Sequence, residues 1–279
     1  MFARNAEQRK GLSASNRSKP DPDAGSFWYT GSEEALLAWK LASKTLARTN
    51  ASSVRVTPRV SFYTKHGKRA FDIAASVLAL ALTLPLNILL MACTFLDVGA
   101  PVFSAQKSIG RDGQPFVPLR FRTMKNAYDG DGALLPPSER VTRFGRFAGW
   151  LSLDELPCFW SILKGDMSVI GPRPMEFDYF QRFSRRHNQR HLVKPGLACP
   201  FLAPPPQPDD WNAQFENDVW YVENIGLTTD IKLFFALVAS VFDARRSKPR
   251  GLANQDRFIG YDMSGKAIGT RDLDHIELD

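Results

Sequence analysis

The sequence predicts a helix-rich α+β fold in a monotopic membrane protein, attached to the bilayer by one re-entrant helix hairpin that is kinked at Pro85. Three observations predict this class. Residues 73–96 carry no charged side chain, short extended runs with turn signals follow Pro101, and helical patterns occupy much of the chain after residue 150. With 279 residues, 44% of them hydrophobic, the chain can bury a substantial core. Its 3 cysteines are widely separated, which argues against a disulfide framework.

The N-terminal region is basic and is predicted to be an extension of the fold over residues 1–64. Residues 1–69 contain 13 Lys and Arg against 5 Asp and Glu, whereas the remaining residues contain 23 against 24. Residues 1–31 lack hydrophobic periodicity and the apolar run of a secretory signal, so we expect a partly disordered tail. Residues 33–48 have the pattern of an amphipathic helix, which either lies on a membrane surface or packs on the rest of the protein.

The uncharged segment is long enough to reach across a bilayer. Its 24 residues correspond to about 36 Å of helix, against about 30 Å of hydrocarbon. A buried core helix is the alternative, although core helices are usually shorter and carry a polar stripe. The sequence therefore favours a membrane helix over residues 70–97.

Two features indicate that this helix enters and leaves at the same face of the membrane. Pro85 removes a backbone hydrogen bond near the middle of the segment, and Asn87 would lie at mid-depth. Basic side chains also flank both ends: Lys65, Lys68, Arg69, Lys107, Arg111, Arg120 and Arg122. Because basic flanks favour the cytoplasmic side, we predict a re-entrant hairpin rather than a span.

The region after the membrane segment combines a β-hairpin with several helices. The Asp112-Gly113 pair between two extended runs is typical of a tight hairpin. Helical patterns follow at residues 153–164, 175–193, 212–224 and 228–244. Residues 246–279 are predicted to form a weakly ordered C-terminal tail.

Asp154 and Glu155 are the strongest candidates for chemistry. Ser152 and Glu155 have the spacing of a capping box, which would place both carboxylates in the first turn of a helix. Alternatively the helix starts at Pro157, with the carboxylates just ahead of it. In both cases a helix N-terminus would favour their ionised forms and attract phosphate. Adjacent carboxylates on a helix point about 100° apart, so we expect separate roles: one attacks and the other holds Mg²⁺.

Three arginines are candidates for binding substrate phosphate. Arg120 and Arg122 would lie on one face of a strand, where paired guanidinium groups suit a diphosphate; a solvated strand face is the alternative. Arg173, between two prolines, would be presented by a stiff turn. Four more arginines recur at helical spacing and would form one basic face, either solvated or in contact with anionic headgroups: Arg182, Arg185, Arg186 and Arg190.

These residues occur within an ordered series of motifs. The motifs are Lys68-Arg-Ala-Phe-Asp72, the apolar segment with its proline, Pro101-Val-Phe103, Arg120-Phe-Arg-Thr-Met124, Val141-Thr-Arg-Phe-Gly145, Ser152-Leu-Asp-Glu-Leu-Pro157, Leu163-Lys-Gly-Asp-Met-Ser168 and Gly171-Pro-Arg-Pro174. In this order they resemble the bacterial sugar transferases, the monotopic polyprenyl-phosphate phosphoglycosyltransferases. The resemblance covers residues 65–245, which would form the sugar transferase domain.

The resemblance implies an enzyme that transfers a sugar-1-phosphate from a UDP-sugar to polyprenyl (undecaprenyl) phosphate and releases UMP. Such a reaction initiates the assembly of exopolysaccharide, capsule, O-antigen or another glycoconjugate. Asp154 would be the nucleophile that forms a covalent phosphoryl-aspartate intermediate, and Glu155 would bind the Mg²⁺ cofactor. Arg120, Arg122 and Arg173 would bind substrate phosphate.

The resemblance also implies a location at the bacterial inner (cytoplasmic) membrane. Inner-membrane phospholipid would surround the hairpin, and the catalytic domain would lie on the cytoplasmic face, where the basic N-terminal region is attracted to anionic lipid. Nucleic acid is not an expected partner, because no nucleic-acid-binding module accompanies the pI of 9.4. A homodimer is compatible with the sequence.

The sequence departs from the family pattern at several positions, and these departures suggest an alternative function. After Pro195-Gly196-Leu197, a proline-rich run through residue 208 replaces the family's Thr-Gly and later Gln and Gly-Arg features, and Leu84 precedes Pro85 where the family has serine. A catalytically impaired member that acts as a membrane-bound partner in a glycan assembly complex would fit these changes. The presence of both Asp154 and Glu155 favours the enzyme.

Overall fold

The computed structural model describes residues 33–51, 53–130, 135, 137–199, 210–242 and 257–275. Its helices are α1 Glu33–Ala51, α2 Lys68–Val98, α3 Pro137–Arg140, α4 Arg143–Trp150, α5 Cys158–Lys164, α6 Arg185–Asn188, α7 Trp211–Asn224 and α8 Leu227–Phe242. Its strands are β1 Ser108–Ile109, β2 Pro115–Phe116, β3 Ser168–Ile170, β4 Gly196–Ala198, β5 Phe258–Tyr261 and β6 Ala267–Gly269. Within the described residues, β1–β2 and β5–β6 pair antiparallel and β3–β4 pair parallel. The predicted helix-rich α+β class is confirmed.

Helix α2 has the length and the surface of a membrane helix. Together with the turn before it, it runs over Tyr63–Val98, 36 residues, and 11% of its most apolar stretch is buried. A core helix would be mostly buried, so that alternative does not fit. The chain is helical on both sides of Pro85, and the Asn87 side-chain amide donates to the Thr83 carbonyl at 3.1 Å. The kink and the re-entrant course stay predictions.

The first turn of α2 carries a buried ion pair. Lys68 Nζ lies 2.6 Å from Asp230 Oδ2 on α8, and their side chains are 12% and 3% exposed. The same ammonium group donates to the Tyr221 hydroxyl and to the Ile170 carbonyl, each at 3.0 Å. The Tyr63 hydroxyl donates to Asp230 at 2.6 Å. This network ties the start of α2 to α7, α8 and β3.

Two more polar side chains on this turn bind neighbouring elements. Arg69 donates to the carbonyls of Ile162 and Leu163 at 2.7 and 2.6 Å, and so satisfies carbonyls at the C-terminal end of α5. Asp72 Oδ1 accepts from the Val169 amide at 2.9 Å. The membrane helix is therefore bonded directly to both α5 and β3.

The hairpin predicted at Asp112-Gly113 is confirmed. Strands β1 and β2 pair antiparallel on either side of it, and Asp112 and Gly113 have φ angles of 56° and 76°, as a tight hairpin turn requires. A side chain at Gly113 would also come within 2.6 Å of the Phe180 ring. Both conditions demand glycine at this position.

The single helix predicted over residues 175–193 is wrong. The structure has a 3₁₀ helix at Phe177–Arg182, the short α6, and a second 3₁₀ helix at Gln189–Leu192. Phe183 is extended, with φ −74° and ψ 136°, and the Ser184 hydroxyl accepts from the His187 amide at 3.2 Å. This N-cap starts a new helix and interrupts the pattern.

The basic helix face predicted on the same segment is also wrong. Arg182 and Arg190 are 7% and 1% exposed. Arg182 donates to the Phe258 carbonyl at 2.8 Å, and Arg186 pairs with Glu216. Because the segment is not one helix, arginines at helical spacing do not share one face.

Residues 257–275 do not form the weakly ordered tail that the sequence predicts. All four residues of β5 are buried, and Ile259 and Ile268 of the β5–β6 hairpin pack with Ala38 and Leu41 of α1. Helix α1 therefore packs on the rest of the protein, as one of its two interpretations predicts. The disorder expected of residues 1–31 lies outside the described residues.

We expect Asp230→Ala to lower the free energy of unfolding by about 3 kcal/mol, because the Lys68 ammonium group would stay buried without its partner. Unfolding of the protein in lipid nanodiscs, followed by tryptophan fluorescence, measures this loss. Asp166→Ala is the matched control: Lys164, which pairs with Asp166, is 62% exposed, so that loss should stay below about 1 kcal/mol. Equal losses in the two variants would contradict the anchoring role of the Lys68–Asp230 pair.

Candidate active site

The two carboxylates predicted to be catalytic lie on a 3₁₀ helix, Leu153–Glu155, just before α5. Ser152 has a left-handed backbone conformation, φ 55°, and its side chain makes no capping hydrogen bond, so the capping-box alternative is wrong. Helix α5 begins at Cys158, directly after Pro157 at φ −65°. The other alternative, with the carboxylates ahead of a helix that starts near Pro157, is confirmed.

Asp154 differs from Glu155 in its electrostatic surroundings. The pKa of Asp154 is raised to about 6, first by burial and then by the charge of Glu155, while Arg120 acts in the opposite direction. The prediction that a helix N-terminus would favour the ionised form is therefore wrong for Asp154, because desolvation outweighs any such effect. Above pH 6 Asp154 is mostly an ionised but poorly solvated carboxylate, which suits a nucleophile.

Arg120 is the predicted phosphate ligand that the structure brings to the carboxylates. Its Nη2 lies 3.4 Å from Glu155 Oε1, and the amide of the next residue, Phe121, donates to the Asp154 carbonyl at 3.0 Å. Arg120 also bonds the Cys158 thiol, whose pKa is raised to about 11 by burial. Cys158 is thus a neutral thiol at physiological pH and does not compete as a nucleophile.

The structure places Arg122 differently. Its Nη1 donates to the Pro101 carbonyl at 2.8 Å and its Nη2 to the Met124 carbonyl at 3.4 Å. Around it, Phe121 pairs with Phe103 in an isolated β-bridge rather than in a regular strand. Arg122 therefore braces the backbone after the membrane helix, and its role in phosphate binding stays a prediction.

The side chain of Arg173 is exposed, and Cys199 lies within range of its charge. Burial raises the pKa of the Cys199 thiol to about 11, and the charges of both Arg173 and Glu155 act on it. Cys158 and Cys199 are neighbours of the site that sequence reasoning missed. Cys158 follows Glu155 by three residues and could have been found from that spacing, whereas no local pattern indicates Cys199.

The 3₁₀ helix Leu153–Glu155, called the carboxylate turn below, offers carboxylate oxygens of the kind that the expected Mg²⁺ takes as ligands. The described residues contain no group of three or more His, Cys, Asp or Glu that could form a protein-only metal site. Mg²⁺ usually takes one or two carboxylates together with substrate phosphate oxygens, which matches the pair Asp154 and Glu155. Glu155 is 27% exposed and is the better placed of the two to bind a cation.

Comparison with known proteins gives a consistent result. A family model described as bacterial sugar transferase matches residues 63–244. The chain is 36% identical over 193 residues to an uncharacterized sugar transferase, EpsL, of Bacillus subtilis, which covers 69% of this chain and 96% of EpsL. It is 32% identical over 197 residues to the exopolysaccharide production protein ExoY of Rhizobium meliloti, covering 64% of this chain and 87% of ExoY.

The name of one longer relative includes both a nucleotide-sugar donor and a lipid acceptor. The chain is 33% identical over 182 residues to the UDP-N-acetylgalactosamine-undecaprenyl-phosphate N-acetylgalactosaminephosphotransferase of Aeromonas hydrophila. The match covers 62% of this chain and 43% of that relative. The chain therefore spans nearly all of EpsL and most of ExoY, but less than half of the Aeromonas protein.

We expect Asp154 to titrate near pH 6, and the midpoint to move upward in Arg120→Met, because the positive charge that lowers this pKa is removed. A water-soluble carbodiimide reacts with protonated carboxyl groups, so its rate of modification at Asp154, followed by peptide mass spectrometry from pH 4 to 8, reports the midpoint. Arg122→Met is the control and should leave the midpoint unchanged. A downward shift in Arg120→Met would contradict the assigned environment.

Proposed function

The chain belongs to the bacterial sugar transferase family, and from this premise we propose that it transfers a sugar-1-phosphate from a UDP-sugar to undecaprenyl phosphate and releases UMP. The product would initiate the assembly of exopolysaccharide, capsule, O-antigen or another glycoconjugate. The observation that carries the proposal is the turn on which a partly buried carboxylate of raised pKa, Asp154, lies beside Glu155 and the Arg120 guanidinium. The name of the Aeromonas relative supports both the donor class and the lipid acceptor, and the name of ExoY supports a role in exopolysaccharide production.

In the proposed mechanism Asp154 acts as the nucleophile. A carboxylate oxygen of Asp154 bonds to the phosphorus that carries the sugar, and the bond from that phosphorus to the UMP oxygen breaks. An oxygen of undecaprenyl phosphate then bonds to the same phosphorus, and the Asp154 carboxylate leaves. Both steps are substitutions at one phosphorus, so no oxidant or reductant takes part.

The neighbouring charges suit this transfer. Glu155 would hold Mg²⁺, which supplies positive charge against the diphosphate of the donor. Arg120, ion-paired with Glu155 at 3.4 Å, offers a guanidinium group to the same phosphates. Arg173 would bind the donor from the loop that follows β3. Arg122, by its backbone contacts, would support this site only through the segment that bears Arg120.

The exposed apolar side chains near the carboxylates support access to a lipid acceptor. Phe147, Trp150, Leu151 and Trp160 are each about half exposed. Phe147 and Trp150 lie on α4, Leu151 directly follows α4, and Trp160 lies on α5. Aromatic side chains of this kind favour the interface between hydrocarbon and water. We therefore propose a location at the inner membrane, with the site at its cytoplasmic face.

Contacts at the two ends of α2 support the re-entrant course. Lys68 and Arg69 at its start bond α8 and α5, while Asp97 at its end accepts a hydrogen bond from the Thr142 hydroxyl, which caps α4. Helix α4 in turn contacts the carboxylate turn. Both ends of α2 therefore contact the globular part of the protein, as expected if they lie on the same side of the membrane.

Asp154→Asn should abolish the release of UMP, lowering it by at least about 10³-fold, because the amide cannot attack phosphorus. The assay follows UMP from a panel of UDP-sugars with Mg²⁺, undecaprenyl phosphate and the membrane-bound protein. Asp166→Asn, a change to a carboxylate at the other end of α5, is the matched control and should retain activity.

The outcomes of this assay separate the two functions. Release that survives Asp154→Asn would refute the proposed nucleophile. Tight binding of a UDP-sugar by the wild-type protein without turnover, across the whole panel, would instead favour the catalytically impaired membrane-bound partner.

The re-entrant course predicts that His66→Cys and Ala105→Cys, at exposed positions before and after α2, react from the same side of the membrane. A membrane-impermeant maleimide should label both in inverted vesicles and neither in intact spheroplasts, with the unsubstituted protein as the blank. Labelling of the two positions from opposite sides would show a spanning helix.

A further inference from the structure

Arg190 and Asp218 form an ion pair that is almost wholly buried. Arg190 Nη2 lies 2.7 Å from Asp218 Oδ2, and the side chains are 0% and 2% exposed. The guanidinium group lies over the rings of Phe183 and Phe215, 5.6 and 5.1 Å from their centres. Its Nε and Nη1 have no hydrogen-bond partner among the described residues. Desolvation offsets most of the attraction in such a pair, so its net contribution to stability is small.

The same guanidinium group makes one further bond, to the loop that carries Arg173. Arg190 Nη2 donates to the Arg173 carbonyl at 2.6 Å. On the other side of this loop, the Gly196 amide donates to the Pro172 carbonyl at 2.9 Å. A Cβ atom on Gly196 would come within 2.1 Å of the Gly171 nitrogen, so the two backbones are in direct contact. The loop backbone is therefore held by β4 on one side and by Arg190 on the other.

The Arg173 side chain stays exposed while its backbone is held. The charge of Arg173 acts on Asp218 and on Cys199, and the charge of Glu155 acts on Cys199 as well. Ile170, directly before this loop, belongs to the same buried cluster as Cys158 of α5, the helix that follows the carboxylate turn. Prolines on both sides of Arg173 restrict the backbone further, so one bond to its carbonyl limits the directions that its side chain can take.

We propose that Arg190 is a positioning residue, which, with its charge neutralised by Asp218, holds the Arg173 carbonyl so that the Arg173 guanidinium is presented to the phosphates of the nucleotide-sugar donor. This inference rests on the proposed function. A charged donor forms a stronger and shorter bond to a carbonyl than a neutral one does. The buried pair thus gives the loop a rigid support that an apolar contact would not give.

The test replaces both members of the pair by apolar residues, Arg190→Met with Asp218→Leu. A single replacement would leave a buried charge without a partner and destabilise the protein, whereas the double replacement removes both charges. We expect the KM for the UDP-sugar to rise about tenfold, with kcat changed less than about threefold, because the loop is misplaced while the carboxylates are not. The unfolding temperature should stay within a few degrees of the wild-type value.

Two further measurements separate positioning from a structural role. Hydrogen exchange of amides in residues 168–176 should become faster in the double variant. Adding Arg173→Ala to the double variant should lower kcat/KM much less than it does in the wild-type protein, because Arg173 has already lost its orientation. Arg186→Met, which removes a partly exposed ion pair with Glu216, is the control and should leave the KM and the exchange unchanged.

Unchanged KM and unchanged exchange in the double variant would overturn the inference, as would an additive effect of Arg173→Ala. If the wild-type protein releases UMP from no donor, the proposed function fails. Exchange at residues 168–176 then decides by itself whether Arg190 holds the loop.

Discussion

The position of the site relative to the membrane depends on the polar first turn of α2. Lys68, Arg69 and Asp72 lie within one and a half turns at the start of a mainly apolar helix, and their side chains bond α8, α5 and β3 respectively. Without Asp230, the Lys68 charge would be buried without an opposite charge, and without Arg69 the Ile162 and Leu163 carbonyls would each lose one hydrogen bond. Because α5 follows the carboxylate turn directly, these bonds fix the distance between the membrane helix and Asp154.

Electrostatic surroundings, rather than helix geometry, distinguish the two carboxylates. The sequence predicts separate roles because adjacent residues of a helix point in different directions, but the residues lie on a 3₁₀ turn before the helix. The difference arises because Asp154 is desolvated and has a raised pKa, while Glu155 is ion-paired with Arg120. These surroundings support the roles proposed for the two residues, with Asp154 as the nucleophile and Glu155 as the ligand of the cation.

Sequence patterns predict those elements whose formation depends on residues that are close together in the chain. The apolar run of α2, the Asp112-Gly113 turn and the helices α7 and α8 follow from propensity and periodicity, and each is present. The helix over residues 175–193 failed because Ser184 starts a new helix, and because Arg182 and Arg190 bond the distant Phe258 carbonyl and Asp218. The C-terminal hairpin was missed because its apolar residues are buried by distant parts of the chain: Ile259 and Ile268 pack on α1, more than 200 positions away, and Phe258 packs in a cluster with Phe183 and Phe215. In the site, Asp154, Glu155 and Arg120 were found from their motifs, whereas the support of Arg173 by Arg190 depends on a contact that no spacing shows.

The two attached ends of α2 also limit how the protein can respond to its lipid surroundings. A membrane helix that is linked to its domain at one end adjusts to a thicker or thinner bilayer by changing its tilt. Here Lys68 at one end and Asp97 at the other are both bonded to the globular part, so the helix cannot tilt independently. A mismatch in hydrocarbon thickness must instead be absorbed by deformation of the lipid or by movement of the whole domain, which would also change the depth of Asp154 relative to the lipid headgroups.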